Sequence, residues 1–303
     1  MKKVLLTGAT GLIGRKIAKE LISRGDKVSI VTRSSEKARA LIAGAENYIE
    51  WNSVRSNWSE NFRDIDAVIH LAGENVMARR WNKVHKEKIY NSRIDSTRNL
   101  TDSIRNSVNK PKVFIAASAV GYYGSSEEPV TEESISGKDF LADVVKAWEG
   151  ETSKIDEFGV RRVNIRTGIV LDKSEGALAQ MITPFKLFIG GPLGSGRQWF
   201  PWIHIDDVAG IFLHALDNEN VAGVLNAVSP NPVRMNEFCR LMGKIMKRPS
   251  IFKVPPFVLG IIFGEGAGVL LTGAQAIPKK TIELGYKYKF EKAENALTDL
   301  LKN

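Results

Sequence analysis

Three glycines near the start of the chain, Gly8, Gly11 and Gly14, constrain the fold most strongly because they separate two segments of different periodicity. The apolar residues Val4–Leu6 before them are typical of a strand that is buried on both faces in a parallel sheet. The segment Leu12–Ile22 after them has the apolar spacing of a helix. A strand, a glycine turn and a helix in this order predict the first unit of a doubly wound α/β sheet.

Each glycine has a separate physical role in such a turn. Gly8 allows the chain to turn without the steric cost of a Cβ atom. Gly11 allows the backbone to approach a pyrophosphate, and Gly14 allows the helix to pack close to the strand. The helix N-terminus offers free N–H groups and partial positive charge to the phosphates. The stretch therefore predicts a dinucleotide site, and a purely structural turn is the alternative.

The second predicted strand, Lys27–Val31, ends where such a unit contacts the adenosine ribose. An acidic residue at this tip would bind the 2′-hydroxyl of NAD, whereas a basic one accommodates the 2′-phosphate of NADP. The chain has Arg33 here and no carboxylate before Glu36. This favours NADP(H) over NAD(H). The alternative is that Arg33 only precedes the next helix, which Ser34 or Ser35 would cap.

Further buried strands and helices follow with the spacing of an α/β protein. The predicted strands are Asn47–Trp51, Asp66–Gly73, Val113–Ala117 and Arg162–Arg166, and the predicted helices include Arg93–Arg105 and Phe140–Ile155. From residue 172 onward the chain becomes richer in glycine turns and aromatic residues. We therefore expect a doubly wound parallel sheet of the Rossmann type in residues 1–171. Residues 172–303 are expected to form mainly a smaller C-terminal substrate lobe, with segments that return to the sheet.

Composition narrows the possible partners and compartments. The only cysteine, Cys239, leaves no disulfide framework and favours a reducing, cytoplasmic location. No signal peptide is expected, because Lys2 and Lys3 lead directly into the first strand. The net charge of +9 fits an anionic cofactor, and no nucleic-acid motif with interleaved aromatic residues is present. We predict no metal site, a small-molecule substrate and a possible homo-oligomer.

The segment 254–271 is the one place where a membrane span is worth considering. It is interrupted by glycines and Glu265, and it is shorter than the roughly 18 to 20 apolar residues that a span needs. We therefore expect a buried or partner-facing helix and no membrane span.

The segments Thr7–Gly14 and His70–Gly73 resemble those of the extended short-chain dehydrogenases/reductases, the sugar-nucleotide epimerase and dehydratase group. More narrowly, the chain resembles the atypical branch labelled epimerase family protein, of the YfcH type. Ser118–Gly124, Arg166–Leu171 and the loop Gly190–Asp207 carry this second resemblance. The label describes the fold group and implies no particular reaction.

The resemblance implies a cofactor site made by the glycine turn and the ends of the following strands. Its expected members are Gly8, Thr10, Gly11, Leu12, Ile13 and Gly14 at the pyrophosphate, Arg33 and Ser34 at the 2′-phosphate, Leu71, Ala72 and Gly73 beside the adenosine ribose and phosphates, and Thr167 and Gly168 near the nicotinamide. Arg93 takes a place where related enzymes often carry asparagine, so it is also expected at the cofactor.

One departure from the parent superfamily bears on catalysis. Those enzymes use a Tyr-x-x-x-Lys pair, in which the lysine lowers the tyrosine pKa so that the phenol can exchange a proton near neutral pH. The two positions are Phe140 and Val144 in this chain, and neither side chain can exchange a proton. Ser118 remains near the expected serine, and Tyr122 or Tyr123 could replace the missing phenol.

Other polar residues are candidates for substrate binding. Glu74, Arg197 and His204 are expected to contact a substrate if their loops cover the nicotinamide, whereas His70 is expected to be a hydrogen-bonded core histidine because it lies inside a predicted strand. The favoured function is an NADP(H)-binding oxidoreductase or epimerase-like enzyme with an unidentified small substrate. The alternative is a dinucleotide-bound sensor or scaffold protein without turnover.

Overall fold

A computed structural model gives the structure of the chain for residues 1–51 and 59–302. Its strands are β1 (Lys3–Thr7), β2 (Lys27–Thr32), β3 (Asn47–Glu50), β4 (Ala67–His70), β5 (Val113–Ala119), β6 (Ser126–Val130), β7 (Arg161–Thr167), β8 (Ile169–Leu171), β9 (Trp199–Phe200), β10 (Trp202–His204), β11 (Gly223–Ala227), β12 (Val233–Arg234) and β13 (Ala274–Ala276). Its helices are α1 (Leu12–Ser23), α2 (Ser35–Leu41), α3 (Lys83–Arg105), α4 (Phe140–Ser153), α5 (Gly176–Lys186), α6 (Ile205–Asp217), α7 (Met235–Met246), α8 (Pro256–Phe263), α9 (Ala267–Leu271), α10 (Lys279–Glu283) and α11 (Ala293–Lys302).

The central sheet has seven strands in the order β11-β7-β5-β4-β1-β2-β3, and every neighbouring pair is parallel. The strand order reverses between β1 and β4, which is the switch point where open α/β sheets bind ligands. Thr7 lies opposite both Val31 and His70, so the carboxyl ends of β1, β2 and β4 form one edge. The predicted fold class, a doubly wound parallel sheet, is confirmed.

The continuous apolar run at Val4–Leu6 is explained by two helical layers. Val4 and Leu6 face a core that includes Ile17 of α1. Leu5 faces the opposite core together with Leu100 of α3. Because both faces of the strand are covered by helices, no position in the run tolerates a polar residue.

Helix α3 begins at Lys83, whereas the sequence predicted a helix that starts at Arg93. Asn82 caps the additional turns, since its side-chain oxygen accepts a hydrogen bond from the His85 N–H at 2.8 Å. In these first turns only His85 and Ile89 are buried. The apolar periodicity there is therefore too sparse to indicate a helix from sequence.

Residues after 172 contribute both to the main sheet and to a second core. Strand β11 pairs with β7 at one edge of the sheet, and α6 packs in the same core as α1. The second core lies among α5, α7 and α11 and includes Phe185, Trp202, Phe238 and Leu297. The boundary predicted between residues 171 and 172 stays a prediction.

The segment 254–271 forms two short helices, α8 and α9. Leu259 and Ala267 are the residues of these helices that are buried. Across the described ranges, no helix is both long and apolar enough to cross a bilayer.

Asp206, in the first turn of α6, is held between two lysines. Its carboxylate lies 2.7 Å from the Lys16 ammonium of α1 and 2.6 Å from that of Lys289. Burial raises the pKa of the carboxyl group, but the hydrogen bonds from the two lysines outweigh burial and hold the pKa at about 2. The ionised form therefore ties α6 to α1.

This pKa predicts how stability depends on pH. A carboxyl group whose pKa falls from 3.8 when unfolded to about 2 when folded contributes about 2 kcal/mol above pH 4. That contribution disappears as the pH falls through 2. We expect Asp206→Asn to lower the free energy of unfolding by this amount at pH 7, as measured by urea titration, and by much less at pH 2. Asp64→Asn, at an exposed carboxylate, is the matched control, and a loss that stays constant with pH would contradict the assignment.

Candidate functional site

The glycine turn brings three backbone segments into direct contact. Gly8 has φ +68°, and a Cβ atom there would lie 2.6 Å from the carbonyl carbon of Leu71. A Cβ on Gly14 would overlap the Gly8 carbonyl oxygen. Gly11 is exposed, and a Cβ there would approach only that same oxygen, at 3.4 Å. Gly8 and Gly14 are therefore required by the fold, whereas Gly11 leaves the space in front of the turn open.

Helix α1 presents an uncapped N-terminus at this turn. Gly11 is its N-cap residue, no side chain accepts a hydrogen bond there, and the first turn contains no acidic residue. By contrast, Asp139 caps α4 by accepting a hydrogen bond from the Ala142 N–H. Thr10, Leu12 and Ile13 lie in the same turn, and the Thr10 carbonyl accepts a hydrogen bond from Arg15. The arrangement suits an anionic group placed over Gly11.

Arg33 and Ser34 follow β2 at the same sheet edge. They differ in whether the side chain is free to bind a ligand. Arg33 is exposed and makes no hydrogen bond or ion pair within residues 1–51 and 59–302. Ser34 caps α2, because its hydroxyl oxygen accepts a hydrogen bond from the Lys37 N–H at 3.3 Å. The Arg33 guanidinium can therefore meet an anion, whereas Ser34 already has the structural role that the alternative interpretation gave it.

Arg93 reaches the end of β4 from α3. One of its terminal nitrogens donates to the Glu74 and Ile89 carbonyl oxygens, both at 3.0 Å, and a Cβ on Gly73 would lie 3.3 Å from its Cζ. Burial lowers the pKa of Arg93 to about 10. No carboxylate of the described chain forms an ion pair with it. The result is a largely buried cation directly beside Gly73.

His70 is confirmed as a core histidine. Its Nδ1 lies 2.7 Å from the Thr7 hydroxyl and its Nε2 lies 3.1 Å from the Thr97 hydroxyl. Burial lowers the pKa of the fully enclosed ring to about 3. The imidazole is therefore neutral near pH 7 and joins β1, β4 and α3.

The three predicted catalytic residues, Ser118, Tyr122 and Tyr123, come together around Arg166 at the end of β7. Arg166 forms a bidentate pair with Glu149 of α4, at 2.9 and 2.8 Å. The Ser118 hydroxyl donates to the same carboxylate at 2.6 Å, and the Tyr123 oxygen accepts from Arg166 at 2.9 Å. The Arg166 Cζ lies 3.4 Å above the centroid of the Tyr122 ring. We refer to Ser118, Tyr122, Tyr123, Glu149 and Arg166 as the arginine cluster.

The three hydroxyl groups of this cluster differ in whether their protons are already used in hydrogen bonds. Tyr123 donates to the Asn226 side-chain oxygen at 2.7 Å, and burial raises its pKa to about 12. Ser118 is already bonded to Glu149. The Tyr122 hydroxyl has no hydrogen-bond partner in the part of the chain that the structure describes. Tyr122 is therefore the only one of the three with an uncommitted proton.

Arg166 and Glu149 were not selected from the sequence. Burial alone lowers the pKa of Arg166, but the hydrogen bonds and charge of Glu149 outweigh it and raise the pKa, so the guanidinium stays charged. The available signal was a charged residue at the end of an otherwise buried strand, after Val163 and Ile165. A buried arginine needs a carboxylate partner, but the sequence does not reveal which carboxylate that is.

The positions of the usual Tyr-Lys pair lie in an apolar cluster. The Phe140 ring meets the Trp81 ring edge-to-face, with the centroids 5.4 Å apart. Val144 is buried and packs with Trp81 and Ile89. Phe140 and Val144 have hydrocarbon side chains, so neither position can transfer a proton, and the neighbouring Trp81 indole N–H is used in a hydrogen bond to the Val76 carbonyl oxygen at 2.6 Å.

A cavity of about 330 Å³ adjoins Phe140. The Lys86 ammonium lies 4.8 Å from the centroid of the Phe140 ring and 2.8 Å from the Glu265 carboxylate. A second cavity, of about 360 Å³, is bordered by Glu74 and Ser92. Of the predicted substrate residues, Glu74 borders this second cavity.

Arg197 and His204 lie elsewhere. The Arg197 carbonyl accepts a hydrogen bond from Arg234, while its side chain is exposed. His204 is buried, and its Nδ1 accepts from the Asp206 N–H as the cap of α6. The His204 ring stacks on Phe290, with the centroids 3.9 Å apart. The structure does not bring either residue into the arginine cluster.

Thr167 and Gly168 end β7 in close contact with the following loop. A Cβ on Gly168 would overlap the Pro201 carbonyl oxygen, and the Gly168 N–H donates to the Ala227 carbonyl oxygen at 3.0 Å. The Thr167 hydroxyl donates to the Ile165 carbonyl oxygen. Their predicted place beside the nicotinamide stays a prediction.

Glu149→Ala tests the arginine cluster. Removing the carboxylate leaves the Arg166 guanidinium, whose side chain is 4% exposed, buried and unpaired, so we expect the free energy of unfolding to fall by about 3 to 5 kcal/mol. Glu151→Ala on the same helix is the matched control, because its partners Arg98 and Lys154 are exposed and the loss should stay below about 1 kcal/mol. Urea unfolding measures both, and equal losses would contradict the role of Glu149.

Comparison with known proteins places this geometry in a family. A family model described as "NAD dependent epimerase/dehydratase family" matches residues 4–143, and a "Domain of unknown function (DUF1731)" matches residues 254–300. The chain is 42% identical to the chloroplastic epimerase family protein SDR39U1 homolog of Arabidopsis thaliana, over 98% of this chain and 86% of that protein. It is 36% identical to the epimerase family protein YfhF of Bacillus subtilis, over 98% and 97% of the two chains.

The crystal structure of the human epimerase family protein SDR39U1 (isoform 2) with NADPH has the same fold. It aligns with a TM-score of 0.89 at 34% identity and covers 99% of each chain. The chain therefore belongs to the NAD-dependent epimerase/dehydratase family, among the epimerase family proteins that include SDR39U1 and YfhF.

Proposed function

We propose that this chain binds NADP(H) at the carboxyl edge of β1, β2 and β4 and that it is an oxidoreductase or epimerase-like enzyme on a small substrate. The observation that carries the proposal is the uncapped N-terminus of α1 over Gly11, with Arg33 at the end of the next strand, which is exposed and has no ion-pair partner among the described residues. The first offers N–H groups to a pyrophosphate and the second offers a guanidinium to a 2′-phosphate. The human relative crystallised with NADPH supports the same cofactor.

The residues present fit this cofactor along its length. Gly11 leaves room for the pyrophosphate, and Arg93 adds a cation with no carboxylate partner in the described part of the chain, beside Gly73. Thr167 and Gly168 would lie toward the nicotinamide. When bound, the nicotinamide would supply or accept a hydride.

Within the arginine cluster, Tyr122 is the group that can exchange a proton with a substrate. Its ring packs against the Arg166 guanidinium, which Glu149 holds by two hydrogen bonds, so the ring rests against a positioned group. Ser118 and Tyr123 then act as positioning residues, because their hydroxyl groups are used within the cluster. Glu74 borders a cavity and is the candidate for substrate binding.

A second candidate function is a dinucleotide-bound sensor or scaffold without turnover. The observation that favours it is the apolar packing of Phe140 and Val144 with Trp81, which replaces the usual proton-transfer pair. This candidate shares the cofactor site but predicts that the nicotinamide is never consumed.

The proposal also covers the substrate, the cellular location and the oligomeric state. We propose a small-molecule substrate held mainly by the lobe of residues 172–303, a cytoplasmic location and a possible homo-oligomer. The absence of a disulfide framework, with Cys239 as the only cysteine, supports a reducing compartment.

Arg33→Ala tests the choice of cofactor. Loss of a charge-assisted contact with the 2′-phosphate should weaken NADPH binding by about 10- to 100-fold and leave NADH binding unchanged. Isothermal titration calorimetry with both nucleotides measures this. Arg39→Ala is the control, because Arg39 stacks on Tyr48 at 4.3 Å within the same region. Equal weakening for both nucleotides would place the 2′-phosphate elsewhere.

Turnover distinguishes the two candidate functions. We expect some carbonyl compound or nucleotide sugar in a metabolite panel to change the nicotinamide absorbance, and Tyr122→Phe to lower kcat by about 100-fold or more with NADPH affinity unchanged. Gly11→Asp is the control for cofactor dependence, because its carboxylate would cap α1 and repel the pyrophosphate. NADPH binding without consumption across the panel would favour the sensor.

A further inference from the structure

Helix α8 (Pro256–Phe263) carries no polar side chain, yet Leu259 is its one buried residue. Phe257 and Ile261 lie one turn apart and are each 69% exposed. A helix that is apolar on all sides is normally covered by protein or lipid. An exposed apolar surface of this kind marks an interaction site.

A second exposed apolar segment lies beside the chain that leads into α8. The Phe252 N–H donates to the Gly190 carbonyl oxygen, and the Val254 N–H donates to that of Pro192. Residues 187–189 and 251–252 therefore approach each other at the same end of these two segments. We define the apolar patch by its large exposed side chains: Leu187, Phe188, Ile189, Ile251, Phe252, Phe257, Ile261 and Ile262.

Phe188 occupies a backbone position at which glycine is usual. It follows the end of α5 with φ +64°, and the Ile189 N–H donates to the Pro184 carbonyl oxygen to close the turn. A bulky residue in the left-handed region is disfavoured. The Phe188 ring is nevertheless 53% exposed. More than half of this aromatic residue is therefore left uncovered by the chain.

The segments that form the patch are basic throughout. Residues 176–205 and 238–264 contain no aspartate or glutamate. Their cations are Lys186, Arg197, Arg240, Lys244, Lys247, Arg248 and Lys253. The Arg248 guanidinium lies 4.4 Å from the Phe188 ring centroid, and Lys244 pairs with Glu294 of α11. The segments that carry the protruding apolar side chains thus contribute positive charge and no negative charge, and Arg248 lies directly against the patch.

We propose that the apolar patch binds the surface of an anionic lipid bilayer. The phenylalanine, isoleucine and leucine side chains would enter the boundary between headgroups and acyl chains, and the flanking lysines and arginines would meet lipid phosphates. Phenylalanine and leucine side chains flanked by lysine and arginine are the composition of surfaces that lie in the membrane interface. The patch therefore fits the surface of an anionic bilayer, and because no helix in the described ranges could cross a bilayer, the binding is peripheral.

Vesicle flotation with the purified full chain tests this proposal. We expect binding to phosphatidylcholine vesicles that contain about 30 mol % phosphatidylglycerol, and at least about tenfold weaker binding to phosphatidylcholine alone. Binding should fall when salt rises to about 0.5 M, because the Debye length shortens. Equal binding to both vesicle types, or no binding to either, overturns the proposal.

Two paired variants separate the apolar and the electrostatic contributions. Phe257→Ser with Ile261→Ser should weaken binding to the anionic vesicles by about tenfold or more, and Lys247→Glu with Lys253→Glu should do the same. Val108→Ser and Lys110→Glu, at exposed positions on the loop between α3 and β5, are the matched controls and should leave binding unchanged. Thermal melting shows that each variant is folded.

Light scattering after size exclusion tests the competing possibility that the patch joins two copies of the chain. If the chain self-associates and Phe257→Ser with Ile261→Ser dissociates it without altering vesicle binding, the patch joins two copies of the chain and the lipid proposal is wrong. NADPH titration of the same variants distinguishes a failure of the lipid proposal from a failure of the cofactor proposal. Unchanged NADPH affinity together with lost vesicle binding supports the lipid site independently of the cofactor site.

Discussion

The fold depends on the direct contact of three backbones at the glycine turn. Gly14 of α1 packs against the Gly8 carbonyl, and Gly8 packs against Leu71 after β4. A side chain at either glycine would push α1 or β4 away from β1. Because this contact also sets the N-terminus of α1 over the sheet edge, the constraint that closes the sheet also creates the proposed phosphate site.

A second constraint is the buried charge of Arg166. Glu149 neutralises it from α4, the Tyr123 oxygen accepts a further hydrogen bond from it, and the Ser118 hydroxyl of β5 donates to the Glu149 carboxylate. A buried guanidinium is costly unless its partners are well placed. Two of the three predicted catalytic hydroxyl groups are therefore used within the Arg166–Glu149 pair, which is why the proton transfer proposed above is assigned to Tyr122.

The sheet could be predicted from sequence because its causes are local. The glycine turn and the apolar run at Val4–Leu6 lie within a few residues of each other. The resemblance to the short-chain dehydrogenases/reductases, rather than local pattern, identified Phe140 and Val144 as the positions that lack the proton-transfer pair. The arginine cluster could not be found in this way, since Ser118, Glu149 and Arg166 meet only after β5, α4 and β7 have packed.

The reactive end of the site and the apolar patch are connected through α8. The Trp81 N–H donates to the Phe263 carbonyl oxygen at the end of this helix, at 3.0 Å, and a Cβ on Gly266 would lie 2.7 Å from the Trp81 ring. Trp81 in turn packs on Phe140. An occupant of the patch would therefore press on a helix whose far end supports the wall of the cavity beside Phe140. Trp81 and Lys86 both link this end of the chain to Phe140, since the Lys86 ammonium pairs with Glu265 just after α8 and lies over the Phe140 ring, so energetic coupling between the two surfaces along this route would run through these two residues.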